Sequence, residues 1–269
     1  MKKILVPTDF SAVAKNAVEY AIEIATIFNS EILLYHVYSF NKATYDIHFK
    51  EEEQPLRKEM EQFMRQKEWS LKAAVKEKGL SLKTFVEEDN IFSLFDTKVK
   101  ERNVDMIVMG SKGSSGIKKI VFGSVAATAL SMATVPVLVI PPKCKYQGIQ
   151  NIVLAINQID VAPKVLSPLQ KFAIKFNAKV TLLNVKTDSK QSSDKMSYLI
   201  IDGVETSYRE VPMFKNINET IGRFIKEEGC DLLCMIRREK DIFKKLLQKS
   251  TIRTQAFSNQ VPLLVLPLV

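Results

Sequence analysis

Apolar and polar residues follow two patterns along this chain: short unbroken apolar runs, and longer stretches in which apolar residues recur every three or four positions. Runs such as Asp105–Met109 are short and rich in branched side chains, which is typical of buried strands. From Ala14 to Phe28 the spacing predicts a helix with one apolar face, and Ser11 stands where it would cap that helix. Because strands and helices alternate, we predict an α/β fold with a mostly parallel sheet, right-handed crossovers and helices on both faces.

The whole pattern occurs twice. Ile4–Val37 aligns without a gap with Ile152–Val185, and each copy reads as a strand, an amphipathic helix and a second strand. Farther on, Asp105–Met109 aligns with Asp231–Met235, so the second copy is shorter between its second and fourth strands. An internal repeat of this length predicts two similar domains, and the chain is long enough for each of them to bury a core.

The two copies differ most between their second and third strands. In the first copy, the charged segment Glu51–Lys78 predicts one long helix, with a break near Pro55 left open. Its embedded apolar residues could face the core or a partner, and we favour the core. In the second copy, residues 198–208 predict a hairpin that turns at Asp202 and Gly203.

Three glycines follow the apolar run at 105–109. Gly110, Gly113 and Gly123 have no Cβ atoms to keep backbone amides away from phosphate oxygens. Ser124 follows them at the start of an alanine- and leucine-rich stretch, where we expect it to cap a helix. The free N–H groups and positive dipole end of that helix would favour an anion, so this segment predicts a phosphate-binding loop.

This spacing, Gly-x2-Gly-x9-Gly-Ser, resembles that of the ATP-binding members of the universal stress protein family. Lys3–Ser11 and Leu33–Val37 are likewise similar to the first two strands of that family. The resemblance implies two tandem Rossmann-like (adenine nucleotide alpha hydrolase-like) domains, each with a mostly parallel five-stranded sheet and helices on both faces. We place them at residues 1–143 and 150–269.

The resemblance also implies ATP, with or without Mg²⁺, as the bound cofactor of the first domain. The residues that it assigns to the nucleoside are Pro7, Thr8, Asp9 and Val37. Those that it assigns to the ribose and phosphates are Met109, Gly110, Gly113, Gly123, Ser124 and Val125.

The second copy departs from this pattern. Ile236, Glu239 and Lys249 stand where the first copy has its three glycines, and Asn157 replaces Asp9. Side chains would occupy the space that phosphates need, and the carboxylate of Glu239 would repel them. We therefore predict one nucleotide site per chain, with the second domain a degenerate copy kept for structure, partnership or regulation.

The chain is basic, with a formal net charge of +9. The stretch Arg237–Arg253 concentrates basic residues that could meet a polyanion. Basic helix faces are usually solvated, however, and aromatic residues are sparse there, so we expect no nucleic-acid partner. No run is long enough to span a membrane and the chain opens directly on a strand, which leads us to expect a cytoplasmic protein without a membrane partner.

Cysteine and histidine are too few for a zinc site at normal spacing, since the chain has three cysteines and two histidines. Cys230 and Cys234 flank an apolar strand, which favours packing in the core over redox or metal chemistry. We expect His36 to pack at a strand end rather than act as a base.

Three functions remain open. The first is ATP binding that signals through an unidentified protein partner, with at most slow hydrolysis; Asp9, Lys112, Lys118 and Lys119 are the groups that could serve hydrolysis, and we assign none as catalytic. The second is an interaction or scaffold protein that holds no nucleotide. The third is an adenylyl- or phosphoryl-transfer enzyme, which is disfavoured because no motif for a second substrate is visible.

Assembly is indicated by the last strand of each copy. Val135–Ile140 and Val261–Leu266 are apolar strands that need a pairing partner. In the universal stress protein family such strands pair across a two-fold axis, so the resemblance implies that the two halves form a dimer-like unit within one chain. Dimerisation of whole chains is a further expectation.

Overall fold

The computed structural model describes residues 1–38, 50–111, 123–156, 161–186, 199–237 and 261–267, with side chains excluded for residues 50–56. The first half contains β1 (Lys3–Pro7), α1 (Ala12–Phe28), β2 (Glu31–Tyr38), α2 (Lys50–Glu77), β3 (Leu82–Glu88), α3 (Ile91–Ser93), a π-helical turn (Leu94–Lys98), α4 (Val99–Glu101), β4 (Met106–Gly110), α5 (Ser124–Met132) and β5 (Val137–Ile140). The second half contains β6 (Asn151–Ala155), α6 (Pro163–Phe176), β7 (Lys179–Lys186), β8 (Thr206–Pro212), α7 (Ile217–Glu227), β9 (Leu232–Ile236) and β10 (Leu263–Leu266).

One ten-stranded sheet runs through both halves, in the order β3-β2-β1-β4-β5-β10-β9-β6-β7-β8. Within each half all neighbouring strands are parallel, and the order is the same in the two halves. This confirms the predicted fold class, a pair of Rossmann-like units with five parallel strands each. The domain boundaries at 143 and 150 stay a prediction.

The two halves join through their last strands, as the resemblance implied. β5 pairs antiparallel with β10, with Leu138 opposite Leu264. Both leucines are fully buried. Because β5 and β10 cover each other, neither strand leaves an open edge in the middle of the sheet.

Helix α1 forms as its sequence predicts. Ser11 caps it, since the hydroxyl oxygen accepts a hydrogen bond from the Ala14 N–H at 3.1 Å, and Asn29 ends it in the left-handed conformation. Its apolar face packs on β1 and β4. At its end, Phe28 contacts Phe172 of α6, with ring centroids 5.2 Å apart. The core on this face of the sheet therefore continues from one half into the other.

Helix α2 matches the long helix predicted from the charged segment, and it continues through position 55 without interruption. Its apolar residues divide between two environments. Met64 and Val75 are buried, whereas Phe63 is 43% and Trp69 78% exposed. The preference for the core is thus correct for one face of the helix only.

The predicted hairpin at 198–208 is wrong. Asp202 and Gly203 do form a turn, in which Gly203 has a φ of +74° and the Val204 N–H donates to the Ile201 carbonyl. No strand precedes this turn at residues 199–201, and β8 after it pairs parallel with β7. The Asp-Gly signal therefore marks a loop that leads into an edge strand, where a parallel partner replaces the expected antiparallel one.

Cys230 and Cys234 pack in the core, as predicted. Burial raises the pKa of the Cys230 thiol to about 12 and raises that of Cys234 as well. Since the thiolate is the reactive form, we expect both thiols to resist iodoacetamide in the folded protein at pH 8 and to react once urea unfolds it. Mass spectrometry of the labelled protein measures this, and labelling of Cys234 at the rate of a free cysteine would contradict it.

Membrane-spanning character is absent from the helices in the described part of the chain: none combines sufficient length with sufficient apolar content.

Candidate functional site

A cavity of about 250 Å³ opens at the carboxyl ends of β1, β2 and β4. The start of α5 closes one side of it, and α3 with the following π-helical turn closes another. The residues that line it are Pro7, Thr8, Asp9, Ala14, Tyr35, His36, Val37, Ile91, Leu94, Met109, Gly110, Gly123, Ser124, Val125 and Ala126.

All of the site residues predicted from the sequence line this cavity, except Gly113. Gly113 falls in 112–122, outside the described residues, together with Lys112, Lys118 and Lys119. The structure thus brings predicted residues from four described stretches of the chain to one space. Their role in binding a nucleotide stays a prediction.

The prediction missed six of the lining residues: Ala14, Tyr35, His36, Ile91, Leu94 and Ala126. His36 and Ala126 directly neighbour a predicted residue in sequence, and Tyr35 lies two positions before Val37. Ile91 and Leu94 come from an element that we had not singled out, although Asn90 gives a helix-start signal, since its side chain accepts a hydrogen bond from the Ser93 N–H at 2.8 Å. This signal predicts a helix start beside the cavity, but it does not predict the π-helical turn that places Leu94 there.

The turn from β1 to α1 is built by its own polar groups. The Thr8 N–H donates to the Tyr35 carbonyl at 2.8 Å, and the Thr8 hydroxyl accepts from the Phe10 N–H at 3.1 Å. The Asp9 carboxylate accepts from the Ser11 N–H, also at 3.1 Å. These bonds hold Thr8 and Asp9 in fixed positions at the cavity.

Phe10 takes an unusual backbone conformation in this turn. Its φ is +62°, in the left-handed region that side chains other than glycine rarely adopt. The ring compensates by packing, with its centroid 4.5 Å from that of His36 and 5.9 Å from that of Phe63 on α2. The conformation of the turn is therefore supported by aromatic contacts with His36, at the cavity, and with Phe63 of α2.

His36 stabilises the same turn, in line with the expected packing role. Its Nδ1 lies 2.7 Å from the carbonyl oxygen of Thr8. Since a carbonyl can only accept, Nδ1 is the nitrogen that carries the proton.

Helix α5 presents its N-terminus to the cavity. Its N-cap is Gly123, with φ −64° and ψ 163°, and Ser124 is the first helical residue. The prediction that Ser124 caps the helix is therefore wrong by one position, because the extended backbone that a cap needs falls on the glycine. Among the described residues no side chain caps this end, which leaves it suited to an external anion.

Gly110 is required by packing. A Cβ atom built at this position would lie 2.7 Å from Cγ1 and 3.3 Å from the carbonyl oxygen of Val13 in α1. Only glycine lets the end of β4 approach α1 this closely. Its presence is thus explained by the fold, independently of any ligand.

The walls of the cavity differ from one another in chemistry. Val37, Ile91 and Leu94 give an apolar surface, Thr8 and Asp9 give oxygen atoms, and α5 gives a positive helix end. The described lining includes no lysine or arginine. No cluster of three or more histidine, cysteine, aspartate or glutamate side chains suited to a metal occurs among the described residues. The cavity matches a ligand with an apolar ring, hydroxyl groups and an anionic end.

The corresponding end of β9 in the second half differs. Ile236 places a side chain where β4 has Gly110, and Arg237 follows where the first half has Ser111. Asn157, Glu239, Lys249 and Ser250, on which the predicted loss of the second site also rests, lie outside the described residues.

Known proteins match the chain over one half or over both. A universal stress protein of Methanocaldococcus jannaschii is 26% identical over 155 residues, covering 53% of this chain and 96% of that protein. A second universal stress protein of the same organism is 29% identical over 150 residues, covering 52% of this chain and 81% of that protein.

Among solved structures, a universal stress protein from Archaeoglobus fulgidus superposes with a TM-score of 0.73 at 20% identity, covering 98% of both chains, which shows a shared fold. The model of the universal stress protein family itself matches residues 1–141. The chain belongs to the universal stress protein family.

Proposed function

We propose that the chain binds ATP in the cavity of its first half and that occupancy of this site is a signal read by a protein partner in the cytoplasm. The observation that carries the proposal is the joint lining of one cavity by apolar walls, by the Asp9 carboxylate and by the N-terminus of α5. Adenine, ribose and phosphate are the groups that these three surfaces suit.

Each surface has a separate role in the proposal. Val37 and Leu94 pack against the base, and Asp9 accepts hydrogen bonds from the ribose hydroxyls. The first-turn N–H groups of α5 and the segment from Gly110 to Gly123 hold the phosphates. Phosphate binding then changes the surface beside the cavity, which is the signal that the partner reads.

Binding without efficient turnover is part of the proposal. Asp9 is the one carboxylate in the described lining, and its oxygen is already engaged by the Ser11 N–H. His36 is held through Nδ1 by the Thr8 carbonyl. Hydrolysis needs a group that orients water and a charge that stabilises the leaving phosphate, and the described lining does not provide the pair.

The rival function, an interaction protein that holds no nucleotide, is favoured by one observation. The close approach of β4 to Val13 explains Gly110 without a ligand. The two functions differ in whether the α5 N-terminus binds an anion.

Replacing Gly123 by aspartate tests this point directly. At an N-cap, Asp stabilises a helix, and the backbone angles of Gly123 suit any residue, so we expect the fold to persist. The new carboxylate would repel phosphate, and we expect ATP to bind at least about tenfold more weakly than to the wild-type protein. Calorimetric titration with ATP, with and without magnesium, measures the affinity and a stoichiometry expected to be one per chain.

Gly123→Asn is the matched control, because asparagine caps a helix equally well and carries no charge. Gly123→Asn should bind ATP more tightly than Gly123→Asp does. Absence of ATP binding by the wild-type protein would reject the proposal in favour of the nucleotide-free function, and equal affinity of the two variants would reject the phosphate position at α5.

A further inference from the structure

Arg237 is a basic residue of the second half that reaches into the first. It follows β9, and its N–H donates to the Leu266 carbonyl at 2.8 Å, just as the Ser111 N–H after β4 donates to the Ile140 carbonyl at 3.0 Å. The two residues hold equivalent places in the two halves. Ser111 is buried beside the cavity, whereas Arg237 sends its side chain across the junction between the halves.

The guanidinium of Arg237 ends at the C-terminus of α5. Its Nη1 donates a long hydrogen bond of 3.4 Å to the carbonyl oxygen of Leu130, in the last turn of that helix. Carbonyls in a last turn have no partner within the helix, and a cation there also interacts favourably with the helix dipole. The contact therefore stabilises α5 from its far end.

The Arg237 side chain is partly removed from water, so it depends on acceptors within the protein. Arg237 is partly buried, and burial lowers its pKa, although an arginine stays charged at neutral pH. It forms no ion pair with a carboxylate in the described part of the chain. A partly desolvated cation needs a compensating acceptor, and the described structure provides the Leu130 carbonyl.

Helix α5 connects this contact to the cavity. The helix has nine residues, so about 13 Å separate its two ends, and its first turn lines the cavity through Ser124, Val125 and Ala126. Because the helix is less than three turns long, a constraint on its last turn also restricts the position of its first turn.

We propose that Arg237 is a positioning residue through which the second half holds α5 in place and sets the nucleotide affinity of the first half. The inference rests on the proposed function. It assigns a regulatory role to the half that has lost the glycine pattern: with α5 already fixed, the nucleotide does not have to order the helix when it binds.

The variant Arg237→Met tests the inference, because methionine keeps part of the apolar stem and removes the hydrogen-bond donors and the charge. We expect ATP to bind roughly threefold to tenfold more weakly by calorimetry, the size of a helix-end charge interaction. Arg237→Lys keeps the charge but lacks the planar guanidinium group, so its ATP affinity should lie between those of the wild-type protein and Arg237→Met. Hydrogen exchange of the α5 amides, measured without nucleotide, should be faster in Arg237→Met than in the wild-type protein.

The matched control is Arg223→Met on α7, an exposed arginine of the same half that pairs with Glu227. It should leave both ATP affinity and α5 exchange unchanged. If the wild-type protein binds ATP and Arg237→Met binds it equally well, or if α5 exchange is unchanged, the inference is overturned and the proposed function stands. If the wild-type protein binds no ATP while Arg237→Met speeds α5 exchange, the proposed function fails and the positioning of α5 by Arg237 is supported.

Discussion

Replacing Gly110 by alanine is expected to lower the free energy of unfolding by about 1–3 kcal/mol, the usual cost of overpacking a close contact. The added Cβ would lie 2.7 Å from Cγ1 of Val13, and a β-branched side chain in a helix has little freedom to turn away. Either α1 or the end of β4 must shift, and both line the cavity. We therefore expect weaker ATP binding as well, with urea denaturation and calorimetric titration as the two measurements.

Val13→Ala provides the internal control for this variant. It removes the Cγ1 atom that the new methyl group would meet, while the contact with the Val13 carbonyl at 3.3 Å remains. In the double variant the two changes should therefore compensate in part, so that its loss of stability is smaller than the sum of the single losses. Simple additivity would show that the approach of β4 to α1 does not require glycine at position 110.

Truncating Leu264 to alanine is expected to have the largest effect on stability, a loss of about 2–5 kcal/mol in the free energy of unfolding. Leu264 is fully buried in β10, and its neighbour across the junction, Leu138 of β5, is buried as well. The resulting cavity would lie in a core that both halves share. We therefore expect urea to unfold the variant in one transition, at a lower midpoint than the wild-type protein.

Ile200→Ala is the comparison, since this isoleucine is 74% exposed. Its loss in the free energy of unfolding should stay within about 0.5 kcal/mol, as is usual for surface positions. Two separate transitions in the Leu264 variant would contradict the view that the halves unfold as one unit, and a loss as small as that of Ile200→Ala would contradict the central role of the junction.

The internal repeat made most of the fold predictable. The strands within Ile4–Val37 and at Asp105–Met109 supported the aligned strands of the second copy, whereas the third strand of that copy, β8, was wrongly predicted as part of a hairpin. The apolar pattern of Val135–Ile140 predicted a strand that needs a partner, and the family resemblance implied that this partner is the last strand of the other half, as β5 and β10 show. The predicted site residues came from the family resemblance, and the structure places all of them except Gly113, which lies outside the described residues, at the cavity where the carboxyl ends of the parallel strands meet.

The remaining features depend on contacts between distant segments. The left-handed backbone of Phe10 is held by rings from β2 and α2, and local sequence gives no signal for it. The π-helical turn at Leu94–Lys98 likewise has no simple pattern, although it helps to place Leu94 at the cavity. Asp202 and Gly203 gave the correct turn and the wrong strand pairing, since pairing is decided by the sheet and not by the turn.

The pairing of β5 with β10 within one polypeptide also has a consequence for how the sequence can vary. In a self-paired strand of a homodimer, each substitution occurs on both sides of the axis at once. Here Val139 faces Leu263, so either side can change alone and the other can adapt to it. The tether also makes the pairing intramolecular, and dilution cannot separate the halves. The two halves can therefore diverge in sequence while β5 and β10 remain paired.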